Sequence, residues 1–214
     1  MIKGLIFDLD GTTIDTLNDI KESFNKALEE FGYPRKSRDE IRMGVGRGFR
    51  MLVNAIVPEG VSEEKKEEIA VRYKNIYREN YYKTSFAYSG MNELLKELQE
   101  QGIKLAVNSN KSDEFTTELI RRNYPDISFV AVIGAREGVP HKPDPATALE
   151  IADMMKLDPE EIAYVGDSDV DMMTGKNAGM KTIGVLWGYR DEKILKENGA
   201  DHTVKTPEEI KLYL

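Results

Sequence analysis

Residues 7–16 read FDLDGTTIDT, and the interpretation of the whole chain starts from this stretch. It completes a short apolar run, LIF at 5–7, and then places Asp8 and Asp10 two residues apart. Aspartate is a poor strand former and is costly to bury, so a pair at the end of an apolar strand needs an explanation. A turn beside Gly11 is one explanation, because aspartate and glycine are common turn residues. A functional site at the tip of a buried strand is the other.

The composition limits the chemistry that such a site can perform. The chain has 214 residues, of which 40% are hydrophobic, enough for one sizeable core and a second, smaller unit. It contains no cysteine and two histidines, which excludes disulfides and thiolate metal sites and argues against a zinc site made only of protein ligands. Hard cations with oxygen ligands remain.

The net charge and the lengths of the apolar segments limit the partners and the cellular location that we expect. A formal net charge of -8 argues against nucleic acid as the main partner. The apolar run near the N-terminus is too short for a signal sequence, and no segment approaches the roughly 20 apolar residues that span a bilayer. We therefore expect a cytoplasmic protein with no membrane or nucleic-acid partner, either a monomer or a homodimer.

Short apolar runs alternate with amphipathic helical patterns along most of the chain. The predicted strands lie at 5–7, 103–107, 129–133, 162–165, 182–186 and 202–204. Strands that alternate with helices favour a parallel sheet covered on both faces. We predict an α/β fold with a Rossmann-like, doubly wound parallel sheet as its core.

One region interrupts this alternation just after the first strand. Residues 17–82 carry helical patterns but no convincing strand, beginning with an amphipathic helix at 16–31. We predict that residues 16–82 form an inserted α-helical domain and that residues 1–15 and 83–214 form the α/β core.

Polar residues follow several of the predicted strands. In a parallel sheet the carboxyl ends of the strands share one edge, so these residues are expected to meet. Each has an ordinary explanation, such as a helix N-cap for Ser168 or a solvated surface position for Lys142. Those explanations do not account for acids, a lysine and hydroxyl or amide donors at one edge: Asp8, Asp10, Ser109, Asn110, Lys142, Asp167 and Asp171.

Clustered carboxylates repel one another, and Mg²⁺ would relieve that repulsion while leaving positions for water and a phosphate oxygen. Ser109, Lys142 and nearby backbone N–H groups would then hold the other phosphate oxygens. Phosphoryl transfer depends mostly on positioning and charge neutralisation, which this set would provide.

The same residues carry a family resemblance. DLDGT at 8–12, SN at 109–110, KPDP at 142–145 and GDSDVD at 166–171 resemble the four ordered motifs of the haloacid dehalogenase superfamily. KTIGVLWGY at 181–189 resembles its phosphoglycolate phosphatase branch. The resemblance implies a Mg²⁺-dependent phosphatase that acts on a small phosphorylated metabolite, with 2-phosphoglycolate first, and a helical cap inserted between the first two motifs.

The resemblance also implies a role for each matching residue. Asp8 would be the nucleophile that forms an aspartyl-phosphate, and Asp10 would be the general acid and base. Asp8, the Asp10 backbone carbonyl and Asp167 would bind Mg²⁺, with Asp171 as a further ligand or a support. Ser109 and Lys142 would also be catalytic, since Ser109 would bind the transferring phosphoryl group and Lys142 would neutralise charge on it and on Asp8. The phosphate-binding set would be Gly11, Ser109, Asn110 and Lys142.

Arg47, in GVGRG at 44–48, is the candidate substrate-selecting residue of the insertion. Its guanidinium suits a substrate carboxylate or hydroxyl, although an arginine exposed to solvent in a flexible loop fits the pattern equally well. No strand precedes the glycines, so we reject a dinucleotide-binding loop.

Other functions remain as alternatives. A sugar-phosphate phosphatase or a β-phosphoglucomutase-like phosphotransferase would use the same core residues with a different cap. A non-enzymatic phospho-accepting module or a silent binding protein fits less well. A signalling module must keep its acyl phosphate, whereas Asp10 as general acid and base would promote its hydrolysis. A silent binding protein would be expected to lack a catalytic residue, and none is missing.

Overall fold

A six-stranded sheet forms the centre of the molecule. The computed structural model describes all residues, Met1–Leu214. The strands are β1 (Gly4–Phe7), β2 (Ile14–Asp15), β3 (Phe86–Ala87), β4 (Lys104–Ser112), β5 (Ala131–Ala135), β6 (Ile162–Gly166), β7 (Lys181–Val185) and β8 (His202–Val204). The helices are α1 (Leu17–Glu30), α2 (Arg38–Gly44), α3 (Phe49–Ile56), α4 (Glu63–Asn80), α5 (Met91–Glu100), α6 (Asp113–Asn123), α7 (Ala146–Met155), α8 (Asp169–Asn177) and α9 (Glu192–Glu197), with 3₁₀ turns at Pro159–Glu161 and Pro207–Tyr213.

The strand order of the large sheet is β5-β4-β1-β6-β7-β8, and every neighbouring pair is parallel. Phe7, the last residue of β1, pairs with Val107 on one side and with Val165 on the other. The segments that follow β1 and β6 therefore start side by side, next to the second half of β4. The predicted fold class is confirmed, and the site residues lie at the edge where a parallel sheet gathers its loops.

Side chains of the central strands alternate between two cores. Leu5 and Phe7 belong to the larger core, which also contains the buried leucines of α5 and α6. Ile6 faces the opposite side, where it belongs to a smaller core with Ile151 and Met155 of α7. Burying one such side chain contributes roughly 1.5–3 kcal/mol. Burial of β1 on both faces fixes the position of the residues that follow it.

The four helices α1 to α4 are inserted between β2 and β3, which pair as a short antiparallel ribbon. The sequence does not predict this ribbon, because two-residue strands are too short to show a period. Asp19 of α1 links the segments where the chain enters and leaves these helices. Its carboxylate accepts hydrogen bonds from the Thr84 backbone and from the Thr84 and Ser85 hydroxyls. The domain boundaries at 16–82 stay a prediction.

Stacked aromatic rings fill the space between the inserted helices. Phe24 of α1 stacks on Tyr73 of α4 at a centroid distance of 4.2 Å, and Tyr73 is followed by Tyr77 at 5.5 Å. Tyr77 contacts Phe115 of α6 edge-on at 5.0 Å, which joins the inserted helices to the sheet domain. No helix has the length and apolar character needed to cross a membrane.

Candidate active site

Asp8 occupies the tip of the central strand. Its backbone N–H donates to the Val165 carbonyl at 2.9 Å, and its side chain is buried. One carboxylate oxygen, Oδ1, accepts a hydrogen bond from Lys142 Nζ at 2.8 Å. The other oxygen, Oδ2, accepts no hydrogen bond from the protein.

Lys142 reaches this point from the loop after β5, and it is buried. Its ammonium group donates to Asp8 Oδ1 at 2.8 Å, to Asp171 Oδ1 at 2.6 Å and to the Asn108 carbonyl at 3.1 Å. Burial lowers the pKa of Lys142, but Asp171 and Asp8 outweigh that effect and raise the pKa well above its usual value. The lysine is thus a fixed positive charge with all three N–H groups in use.

Asp171 is held by the start of helix α8. Ser168 and Asp171 form a capping box, in which the Ser168 backbone and hydroxyl donate to Asp171 Oδ2 at 3.0 and 2.6 Å. Its other oxygen accepts from Lys142. Both oxygens of Asp171 are therefore engaged, which suits a residue that positions Lys142 and adds negative charge to the site.

Asp167 lies at the turn that leaves β6. Its Oδ2 accepts from the Tyr189 backbone N–H at 2.6 Å, and its Oδ1 accepts from the Thr12 hydroxyl at 3.1 Å. Gly11 passes directly over it with φ +89°, and a Cβ at Gly11 would lie 2.5 Å from Asp167 Oδ2. The glycine of the opening motif is required by this close approach.

Asp8, Asp167 and Asp171 form a buried acidic triad in which one carboxylate oxygen of each residue lies within 4.8 Å of the others. Burial, followed by repulsion from Asp171, raises the pKa of Asp8 to about 7 despite the nearby Lys142. Burial also raises the pKa of Asp167 well above its usual value, with Asp171 and Asp8 adding to the shift. Oxygen ligands with excess negative charge fit a divalent cation, which would remove the repulsion.

Asp10 has partners that the sequence analysis missed. Its carboxylate accepts from Lys111 Nζ at 2.9 and 3.0 Å, one bond to each oxygen, and from the Thr16 hydroxyl at 2.5 Å. Thr16 is the N-cap residue of α1 but makes no capping bond with its side chain. The Thr16 hydroxyl therefore holds the Asp10 carboxylate instead of capping helix α1.

Ser109 and Asn110 follow Asn108 at the same edge of the sheet, and both are buried. The Ser109 hydroxyl accepts from the Lys111 backbone at 3.2 Å, and its own hydrogen remains available to donate. The Asn110 amide donates to the carbonyls of Gly46 and Lys142 at 3.0 and 3.1 Å. Ser109 is free to meet a ligand, whereas Asn110 braces the loops around it.

A cavity of about 430 Å³ opens beside Asp8 and Asp10. Residues of the sheet domain, including Ser109 and Lys111, line it together with residues of the inserted helices, including Phe49, Tyr73 and Tyr77. Its size falls within the usual range for small-molecule sites.

Comparison with known proteins identifies the family. Residues 5–185 match the family model described as haloacid dehalogenase-like hydrolase. The chain belongs to the haloacid dehalogenase-like hydrolases. The predicted family is confirmed.

Relatives narrow the class of enzyme. The phosphoglycolate phosphatase of Aquifex aeolicus is 30% identical over 209 residues, which cover 98% of this chain and 95% of that protein. That of Psychrobacter arcticus is 35% identical over 193 residues, covering 86% and 84%. The structure of a predicted phosphoglycolate phosphatase from Haemophilus somnus superposes with a TM-score of 0.92 at 26% identity, covering 99% and 97%. This hydrolase is a phosphoric monoester hydrolase of the family, as predicted.

Arg47 of this hydrolase pairs with Asp169 at the start of α8, and about half of the Arg47 side chain is exposed. Arg47 does not line the cavity, although the glycines on either side of it do. Gly48 has φ +88°, and a Cβ there would lie 2.7 Å from His141 Nδ1. The glycine-rich loop therefore packs tightly on the sheet domain and directs Arg47 toward Asp169.

Arg190, for which the sequence predicts no role, anchors the glycine-rich loop at 44–48 to the sheet domain. Its buried guanidinium donates to the carbonyls of Arg42, Met43 and Val45 at the end of α2, at 3.0 to 3.2 Å. The Arg42 guanidinium in turn donates a hydrogen bond to the Tyr189 carbonyl at 3.1 Å. One buried side chain thus holds the loop that forms one edge of the cavity.

Replacing Arg190 is expected to loosen this loop. Arg190→Met removes donors from three carbonyls, so we expect the free energy of unfolding to fall by about 2 kcal/mol. Limited trypsin digestion should also cut faster after Arg47, as followed by mass spectrometry. Arg121→Met on α6, where the arginine is exposed, serves as the control and should change stability by less than about 0.5 kcal/mol. Unchanged stability and cleavage in Arg190→Met would contradict the assignment.

Proposed function

We propose that the protein is a Mg²⁺-dependent phosphatase that hydrolyses a small phosphate monoester through an aspartyl-phosphate, with 2-phosphoglycolate the first candidate substrate. One observation carries the proposal. A buried aspartate at the tip of the central strand keeps one oxygen, Asp8 Oδ2, free of hydrogen bonds beside a cavity, while Lys142 and the acidic triad surround it. The resemblance to phosphoglycolate phosphatases supports the choice of substrate.

In the first step, Asp8 Oδ2 attacks phosphorus and the bond between phosphorus and the ester oxygen breaks. Asp10 gives its proton to the departing alkoxide, so the alcohol leaves neutral. In the second step, Asp10 takes a proton from a water molecule whose oxygen attacks phosphorus. The bond to Asp8 breaks, and inorganic phosphate is released.

The remaining residues hold the phosphoryl group in place. Lys142 offsets negative charge beside Asp8, and the free Ser109 hydroxyl hydrogen is positioned to donate to a phosphoryl oxygen. Asp8, Asp167 and the Asp10 backbone carbonyl would bind Mg²⁺, with Asp171 supporting them. The cation would neutralise charge on the transferring group. We assign residues 16–82 as the cap that closes over the cavity and excludes water.

A second candidate follows from the size of the cavity. At about 430 Å³ it is larger than a two-carbon acid needs, which favours a sugar-phosphate phosphatase or mutase as the alternative. The two candidates therefore differ in the substrate that should be hydrolysed fastest.

The test is phosphate release from 2-phosphoglycolate, sugar phosphates, nucleotides and pyrophosphate, with Mg²⁺ or with a chelator. We expect 2-phosphoglycolate to be the best substrate and chelation to lower its turnover at least about tenfold. A sugar phosphate as the best substrate would support the alternative. Release that is equally fast with chelator would contradict the metal assignment.

Direct titration tests the cation site separately. We expect Mg²⁺ binding, measured by calorimetry, to weaken at least about tenfold in Asp167→Asn, because the site loses a charged ligand. Asp153→Asn, at an exposed position, is the matched control and should bind as the wild type does. Equal binding by Asp167→Asn and the control would remove Asp167 from the ligand set.

A further inference from the structure

Lys111 has no role in the mechanism above, yet it is the cation in closest contact with Asp10. It lies near the end of β4, and its side chain is 8% exposed. Its ammonium group bonds both Asp10 oxygens at 2.9 and 3.0 Å and lies 5.0 Å from the centre of the Tyr77 ring. A nearly buried ammonium group needs a negative partner, and in this structure Asp10 is that partner.

The other cations around the cavity are engaged elsewhere. Arg78 pairs with Glu114 at 3.1 Å, and Arg136 pairs with Glu150. Lys74 lies over the ring of Phe49 at 4.3 Å from its centre. Lys111 is therefore the lining cation directed at the reacting end of the cavity.

The tyrosine beneath Lys111 also has unused hydrogen-bonding capacity. Tyr77 is buried and lines the cavity, and its hydroxyl has no hydrogen-bond partner. An unpartnered buried hydroxyl is costly, so a ligand that accepts from it gains affinity. A ligand group that accepts hydrogen bonds would have two neighbouring donors here, one of them charged.

We propose that Lys111 recognises a carboxylate on the leaving group of the substrate, an inference that rests on the proposed function. Asp10 must contact the ester oxygen to protonate it, so Lys111, about 3 Å from Asp10, reaches atoms two or three bonds beyond that oxygen, where a 2-hydroxy acid has its carboxylate. A carboxylate there takes the place of Asp10 as partner of Lys111, whereas a neutral group cannot. The substrate class is phosphate esters of short 2-hydroxy acids.

The test compares 2-phosphoglycolate with its carboxamide counterpart, which has nearly the same shape without the charge. We expect wild type to favour the acid by about 10- to 100-fold in kcat/KM, as lost charge-assisted hydrogen bonds predict. Lys111→Met should bring this ratio close to one, and Lys111→Arg should restore part of it. Lys181→Met, at an exposed lysine that starts β7 at the opposite edge of the sheet, should keep the wild-type ratio.

Two results would overturn the proposal. One is a wild-type enzyme with no preference for the acid. The other is a Lys111→Met variant that loses activity on both esters equally and keeps the preference, which would leave Lys111 as a residue that only positions Asp10.

Binding separates this inference from the proposed function. Asp8→Asn is used as the background, and calorimetry measures the affinity for the acid and for the carboxamide with Lys111 intact or replaced by Met. A preference that disappears with Lys111 supports the inference, and one that persists overturns it. Absence of phosphate release by wild type from every ester would instead contradict the proposed function.

Discussion

Asp8→Asn is expected to lower turnover at least about 10⁴-fold, because an amide oxygen is not a nucleophile for phosphorus and hydrogen bonds hold the carboxylates of the other site aspartates. The side chain keeps nearly the same shape, and its oxygen can still accept from Lys142. The fold should therefore be retained. Phosphate release under saturating Mg²⁺ measures the first effect, and circular dichroism with thermal melting measures the second.

The stability of this variant without metal is a second readout. Asp8 is buried near Asp171, and that environment raises its pKa to about 7, which means that its charge is unfavourable in the folded state. Removing the charge should leave the melting temperature equal to or above that of wild type. Asp153→Asn is the control, with wild-type turnover. Turnover by Asp8→Asn above about 1% of wild type would reject Asp8 as the nucleophile.

The sequence predicted the fold because its signals were local and repeated. Apolar runs such as 103–107 and 162–165 mark strands that are buried on both faces, and helical periods lie between them. The parallel sheet then follows from connection rules, and with it the convergence of Asp8, Lys142 and Asp167. Strand ends differ from the prediction: the strand predicted at 129–133 is Ala131–Ala135, because pairing with β4 decides where it begins.

The partners of the site residues could not be predicted in the same way. Lys111 directly follows the SN pair, but nothing in its neighbours indicates that it reaches Asp10, which lies on the segment after the adjacent strand β1. Arg190 donates to carbonyls about 145 residues away. Because every residue has a backbone carbonyl, the sequence does not indicate which ones a side chain binds. The Arg47 contact with Asp169 depends on how the inserted helices pack. These are long-range contacts between polar groups, which hydrophobic periodicity does not encode.

Lys142→Met is expected to lower the free energy of unfolding by about 3–5 kcal/mol in the absence of metal, since it leaves two buried carboxylates without their cation. Lys142 is the residue that bonds both Asp8 and Asp171, and methionine fills similar volume without charge. Turnover should fall at least about 10³-fold, because charge on the phosphoryl group loses its fixed partner. Denaturant unfolding and phosphate release measure the two effects.

A double-variant cycle shows whether the loss comes from the buried charges. Adding Asp8→Asn to Lys142→Met removes one of the two unpaired carboxylates, so we expect it to recover about 1–2 kcal/mol of the lost stability. Lys181→Met, which removes an exposed lysine, should change stability by less than about 0.5 kcal/mol. If Asp8→Asn recovers nothing, the loss comes from packing. In that case Lys142 would not be the cation that makes a buried cluster of aspartates compatible with the fold.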